Sequence, residues 1–285
     1  MRRFSYIDTN TRAVSPGLSA LFPGWDGKNE RLVVYSPHDD DAILGAGYAM
    51  RAAIEDGAEV YIVIVCSGNA GYSTPEERDI IVEKRRRETL NCYEAFGIPR
   101  ERITFLGFSD FSALQYLGWN IAPAREGHFR RCITLLRSLR ATRVLVPNHY
   151  HEHIDHIAAY MMGAYDAPQS GDAFCVDWAD PYPVRSVAQY SVWADLDPED
   201  ALIAGRDTAL RANLVLAVDP AVERVVDTGI EAYVSQSEII ADLVEQRKAR
   251  CLPDGRFIEV YLRFDPRPKL SFAPYQALLS EIPDA

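Results

Sequence analysis

Paired cysteines are missing from this chain. Its five cysteines, Cys66, Cys92, Cys132, Cys175 and Cys251, lie far apart and form no CxxC pair, which argues against a disulfide framework and against a thiolate zinc site. Long apolar runs are missing too, since no window approaches the roughly 18 uninterrupted apolar residues of a membrane-spanning helix. The opening Met1-Arg2-Arg3-Phe4-Ser5-Tyr6-Ile7-Asp8 meets polar residues without the apolar stretch of roughly 7 to 15 residues that a secretory leader needs. A cytoplasmic, reducing compartment is the expectation. Positive charge is in deficit, with a net charge of −11 and a pI near 5.1. That argues against a nucleic-acid partner, whose affinity would come from lysines and arginines neutralising phosphates. The basic run Lys84-Arg85-Arg86-Arg87 reads as a solvated helix face.

What remains is ordinary globular composition: 285 residues, 48% hydrophobic, 25% charged and 11% aromatic, with no biased segment and no internal repeat. A chain of this length can bury a large core in one domain. The expected division is an irregular lead-in over residues 1–30, an α/β core over 31–180, and residues 181–285 as the C-terminal part of the same domain, with extra strands and a long helix. Pro16, Gly17, Pro23, Gly24 and Gly27 break any period in the lead-in.

Arg31 to Ser36 is a β-branched run stopped by Pro37, which predicts a buried strand. Ile43 to Glu55 has helical spacing and ends near Gly57. Val60 to Val65 is a second strand, followed by the turn-rich Ser67-Gly68-Asn69-Ala70-Gly71. Thr74-Pro75-Glu76-Glu77 marks a helix start, with proline in the first turn and acids at the positive end of the dipole, and that helix runs to Phe96 before Gly97. Arg102 to Leu106 is a third strand, Gly127 to Leu139 a helix, Arg143 to Val146 a fourth strand, and a helix opens at Asp155. Further on, Ser186 to Trp193, Leu214 to Val218 and Phe257 to Phe264 read as strands and Ile230 to Arg250 as one long helix. The alternation predicts a Rossmann-like three-layer α/β sandwich with a mostly parallel sheet. Ligands on such sheets bind beyond the carboxyl ends of the strands, so the chemistry should follow strands.

It does. Directly after the first strand comes Ser36-Pro37-His38-Asp39-Asp40-Asp41, three carboxylates beside an imidazole. Adjacent like charges need a positive compensation, and a divalent cation supplies it economically. Helix capping would explain one carboxylate but not the histidine. His38 and Asp41, three residues apart, can converge at a helix start, and a mixed nitrogen and oxygen set suits zinc.

The second constellation follows the fourth strand: His149-Tyr150-His151-Glu152-His153-Ile154-Asp155-His156 holds four of the chain's six histidines. His153 and His156 are spaced to face one site at a helix start, with Asp155 accepting a ring N–H behind them. His149 and His151 read equally as surface residues of the loop. Three protein ligands with an open position make a catalytic zinc arrangement rather than a closed structural one. Asp40 is placed to take a proton from a bound water and His153 to donate one to a leaving group.

Ser36 to Asp41, continued by Ile43-Leu44-Gly45-Ala46-Gly47, resembles the His-Pro-Asp-Asp-Glu signature of the PIG-L-like (LmbE-like) zinc-dependent N-deacetylases. His153-Ile154-Asp155-His156 resembles their second signature, His-x-Asp-His. The Ser67 to Gly71 loop, the Arg85-to-Glu88 spacing before Gly97, and Phe105-Leu106-Gly107-Phe108-Ser109-Asp110 follow the family's order, and the resemblance covers about residues 31 to 160. It implies that His38, Asp41 and His156 bind Zn2+, that Asp40 is the general base, and that His153 is the acid or the partner of the oxyanion. It also implies that Arg85 and Asp110 hold substrate hydroxyls; a helix-surface ion pair and a turn residue are the alternatives from sequence. Two departures stand out: Asp39 replaces the usual proline and Ala42 the frequent glutamate. The extra carboxylate at Asp39 competes with Asp40 for the role of base, although the spacing from His38 favours Asp40.

The expected function is removal of an acetyl group from an N-acetylglucosamine-type sugar or glycoconjugate. Two competing readings are an amidase for a larger acyl or thiol conjugate and a non-catalytic sugar- or metal-binding protein. Intact Asp40 and His153 count against the latter, since binding needs neither. The ligand types accept Fe2+ as well as zinc, and they leave open the sugar, the aglycone and any homo-oligomer.

Overall fold

Leu32-Val33-Val34-Tyr35 is an unbroken apolar run, and in the computed structural model, which describes residues 2–199 and 209–282, all four are fully buried. A strand covered on both faces requires this. Chain order begins with β1 (Phe4–Asp8), β2 (Val14–Ser15), β3 (Arg31–Ser36), α1 (Asp41–Glu55), β4 (Glu59–Cys66), α2 (Ile81–Phe96) and β5 (Ile103–Phe108). A ribbon of β6 (Asn120–Ala122) and β7 (Arg125–Glu126) precedes α3 (Phe129–Ser138), β8 (Arg143–Pro147) and α4 (Ile154–Asp166). β9 (Ser186–Tyr190), β10 (Leu214–Val218), α5 (Pro220–Glu231), α6 (Ala241–Arg247), β11 (Phe257–Phe264) and α7 (Ala273–Ser280) complete it.

Nine strands form one mixed sheet in the order β2-β1-β10-β11-β9-β8-β3-β4-β5. The block from β9 to β5 is parallel throughout. The other ladders are antiparallel. The expected mostly parallel sheet is therefore found in five strands, while the rest runs in both directions. Strand direction there depends on how long connections return, which hydrophobic period does not encode. The two faces carry separate cores. Leu32 and Val34 of β3 pack in one with α1, α2 and α5, and Val33 and Tyr35 in the other with α3 and α4, as a two-residue period dictates.

Two sequence expectations need correction. The lead-in is not irregular throughout, because Phe4–Asp8 pairs with Leu214–Val218 in the main sheet. No local signal marks it, since its partner lies far downstream. The long helix expected over Ile230 to Arg250 is two helices, ending at Glu231 and resuming at Ala241. Tertiary bonds override helix propensity between them: the Tyr233 hydroxyl donates to the Asp39 carbonyl at 2.6 Å, and Ser235 N–H donates to Glu88 Oε1 at 3.0 Å. Among the described residues no helix is long and apolar enough to cross a membrane.

Candidate active site

Each parallel strand ends in a segment that reaches the same place. β3 is followed by His38 to Asp41, β4 by Ser67 to Gly71, β5 by Asp110 and Phe111, β8 by the histidine cluster, and β9 by Ser191 to Ala194. Because β3 lies between β8 and β4, the two histidine-aspartate signatures meet at neighbouring strand ends.

The capping duty that could have explained one aspartate falls to Ser36, whose hydroxyl accepts from the Ala42 N–H at 3.0 Å. Asp40, at the helix N-cap, makes no capping bond. Asp41 instead turns back: its Oδ2 accepts the His38 N–H at 2.8 Å and lies 3.1 Å from both His38 Nδ1 and His156 Nε2. Ligand atoms of His38, Asp41 and His156 all lie within 4.8 Å of one another. His156 is fully buried, and its Nε2, though close to Asp41, has no hydrogen-bond partner.

Two further groups share His38, namely Cys66 with Asp110 and His153 with Asp155. Their carboxylates already serve backbone amides. Asp155 accepts the Phe111 N–H at 2.6 Å and the Ala113 N–H at 3.2 Å, and Asp110 accepts Gly68 N–H at 2.8 Å and Ala70 N–H at 3.0 Å. Burial also pushes the Cys66 thiol far up, away from the thiolate a metal would need.

The electrostatics follow from burying several charged groups together. Burial and the neighbouring Asp41 and Asp39 push the Asp40 carboxyl up to about 6 against the opposing Arg85 and His38. Burial would raise Asp41 as well, but His156 and His38 more than offset it and hold Asp41 well below the carboxylate range. Burial disfavours a charged His156 ring, yet Asp41 and Glu152 lift it to about 8, and Asp155 and Asp41 raise His38 in the same way. His153 moves the other way, lowered by burial and by His38. It caps α4, with Nδ1 accepting the Asp155 N–H at 3.2 Å, which leaves its proton on Nε2.

A cavity of about 390 Å³ opens over this group, with His38, Asp40, Asp41 and His153 in its wall and His156 behind them. Phe111 and Trp193 form aromatic sides, and Gln236, Ile239 and Leu243 close it from the connection between α5 and α6 and from α6 itself. Phe111, at φ 59, meets His153 edge-on with ring centroids 4.6 Å apart, and Trp193 lies 4.8 Å from the His156 ring.

The residues expected to hold substrate are more constrained than the sequence suggested. Arg85 is no helix-surface ion pair: the residue is 4% exposed, and its guanidinium forks onto the Asp39 carboxylate and donates from Nη1 to Gln236 Oε1 at 2.7 Å. Gly71 makes room for it, because a Cβ there would sit 2.0 Å from Nη1. Asp39 is thereby tied to Arg85 and is not free in the cavity. Asp110 faces the cavity while ordering the Ser67 to Gly71 loop. His149 and His151 stay outside. His149 packs on Tyr160 at 4.3 Å and faces Asp197, and the exposed His151 packs on Tyr150.

Sequence reasoning missed Glu152, Phe111, Trp193 and Gln236. Glu152 stood four residues before His156, the spacing that brings side chains together on a helix, and Trp193 follows a strand end. Gln236 reaches Arg85 from a distant connection and left no local signal.

The fold has known relatives. An N,N'-diacetylchitobiose deacetylase from Pyrococcus horikoshii aligns over 85% of this chain and 88% of its own, with a TM-score of 0.62 at 17% identity. GalB, the 4-carboxy-2-hydroxymuconate hydratase from Pseudomonas putida KT2440, aligns over 85% and 99%, with a TM-score of 0.57 at 16% identity. A deacetylase of teicoplanin biosynthesis aligns over 82% and 99%, with a TM-score of 0.54 at 19% identity. No curated protein matches the chain. Residues 33–165, from β3 to the end of α4, match the family model described as PIG-L: GlcNAc-PI de-N-acetylase. The stretch that carries both histidine-aspartate signatures belongs to the PIG-L (LmbE-like) family.

Proposed function

We propose that this protein is a metal-dependent hydrolase that removes an N-acetyl group from an N-acetylglucosamine-type sugar or glycoconjugate, releasing acetate. The observation that carries it is the buried, unpartnered Nε2 of His156 set against Asp41 and His38 at the floor of a cavity walled by Asp40. Two imidazoles and one carboxylate fit zinc, with Fe2+ as the alternative ion. Such an ion, when bound, polarises a carbonyl and brings the pKa of a coordinated water to about 7.

The chain's own residues supply the rest. Asp40 lines the cavity with a carboxyl already lifted toward neutrality, which suits a base that takes a proton from water and returns it. His153, neutral and with its proton on Nε2, donates a hydrogen bond toward the developing oxyanion of the amide, and the proton taken up by Asp40 passes to the leaving nitrogen. The free N–H groups of Arg85 and the remaining lone pairs of Asp110 are available to sugar hydroxyls. Phe111 and Trp193 offer flat apolar faces on which a sugar ring can rest. Two of the three structural relatives are deacetylases, which supports the same class. The hydratase among them shows that this fold alone does not choose the reaction.

Asp40→Asn tests the reading. Amine release from N-acetylglucosamine and from chitobiose should fall by about 10²-fold to 10⁴-fold while bound metal, read by elemental analysis, is retained. Unchanged turnover with metal in place would contradict the assignment of the base.

A further inference from the structure

Glu152 is the carboxylate that the site does not yet account for. Its side chain is fully buried, and both of its carboxylate oxygens are engaged. Oε2 meets His156 Nδ1 at 2.7 Å. Oε1 accepts three consecutive backbone N–H groups, from Val192 at 2.9 Å, Trp193 at 3.0 Å and Ala194 at 3.1 Å. These amides compensate the buried charge as an anion-binding concavity of main-chain donors. An Nδ1–H donated to Oε2 leaves Nε2 as a bare lone pair, consistent with an Nε2 that makes no hydrogen bond to the adjacent Asp41.

We infer that Glu152 is the positioning residue of this centre: it fixes the His156 tautomer that presents Nε2 to a cation, and it fastens the turn that sets Trp193 against His156 as a wall of the cavity. The inference rests on the metal-site reading above. Its chemical content lies in the difference between a carboxylate and an amide. In Glu152→Gln one oxygen can still accept from Val192, Trp193 and Ala194, so the turn and the fold survive. The side-chain nitrogen then faces Nδ1 as a donor, and the ring must turn to the opposite tautomer, with its proton on Nε2.

The experiment pairs two readouts. On metal-free protein at alkaline pH, where the ring is neutral, nitrogen-detected NMR reports the His156 tautomer. Competition with a chromophoric chelator reports zinc affinity. Wild type should carry the proton on Nδ1. Glu152→Gln should keep a metal-free Tm near that of wild type, carry the proton on Nε2, and bind zinc about 10- to 100-fold more weakly. Wild-type protein with the proton on Nε2 would overturn the inference without any variant. So would a Glu152→Gln protein that keeps both the Nδ1–H tautomer and the wild-type affinity. Should wild type bind no zinc at all, the metal reading falls while the tautomer still decides the role of Glu152.

Discussion

The two halves of the sheet do different work. In the parallel half, β9-β8-β3-β4-β5, each strand is followed at its carboxyl end by residues of the cavity or of its immediate support. In the antiparallel half, β11-β10-β1-β2, no strand contributes a residue to the cavity. That half acts through its connections: the segment from Tyr233 to Leu243, between β10 and β11, covers the site and ties down Arg85 and the Asp39 carbonyl. Parallel strands bring their ends together on one edge, where backbone groups are unpaired and side chains can converge. Antiparallel pairing alternates its ends and extends the core without building such an edge.

Three changes probe that division. The largest effect is expected from Asp39→Ala in the parallel half. Removing this carboxylate leaves the buried Arg85 guanidinium without its forked partner, a change that costs about 3–5 kcal/mol, and denaturant unfolding should show it together with reduced turnover. Loss of activity with undiminished stability would mean that Asp39 acts in the chemistry rather than in holding Arg85. Next is the pH dependence of metal binding. His156 is lifted to about 8, so below that pH a cation must displace its proton. Zinc affinity should then weaken by about tenfold per pH unit from 8 down to 6 for each proton released. In metal-free protein the sign reverses, because stability from the raised His156 is complete below about 6.5 and is lost as pH rises through 8. A zinc affinity flat between pH 6 and 8 would break this account of the cluster. The smallest effect belongs to the antiparallel half. Tyr261→Phe deletes a buried hydroxyl that donates to Glu259 and accepts the Ala49 N–H at 3.3 Å. It should cost about 1–3 kcal/mol of stability and leave kcat/KM unchanged; a large fall in kcat/KM would erase the contrast between the halves.

The sequence made the parallel half legible because its signals are local. Arg31 to Ser36 reads as a strand with the bounds the structure shows. His38, Asp41, His153 and His156 announced themselves by spacing after strands. What stayed hidden depends on partners distant in the chain. β1 is fixed by β10, the break after Glu231 by bonds to Asp39 and Glu88, and the captive state of Arg85 by Gln236 and by Asp39. That last residue showed in the sequence as a departure, but its consequence showed only in the structure. Glu152 was in view beside the histidines, yet its value lies in three amides from the turn after β9, which no helical spacing reveals.

The measurement that bears most directly on the central claim is metal content on protein purified without added metal, paired with a fluorescamine assay of amine release from N-acetylglucosamine and chitobiose. The account predicts about one equivalent of zinc or iron per chain and amine release that a chelator abolishes and the metal restores. No bound metal, and no amine release after zinc or iron is supplied, would contradict it.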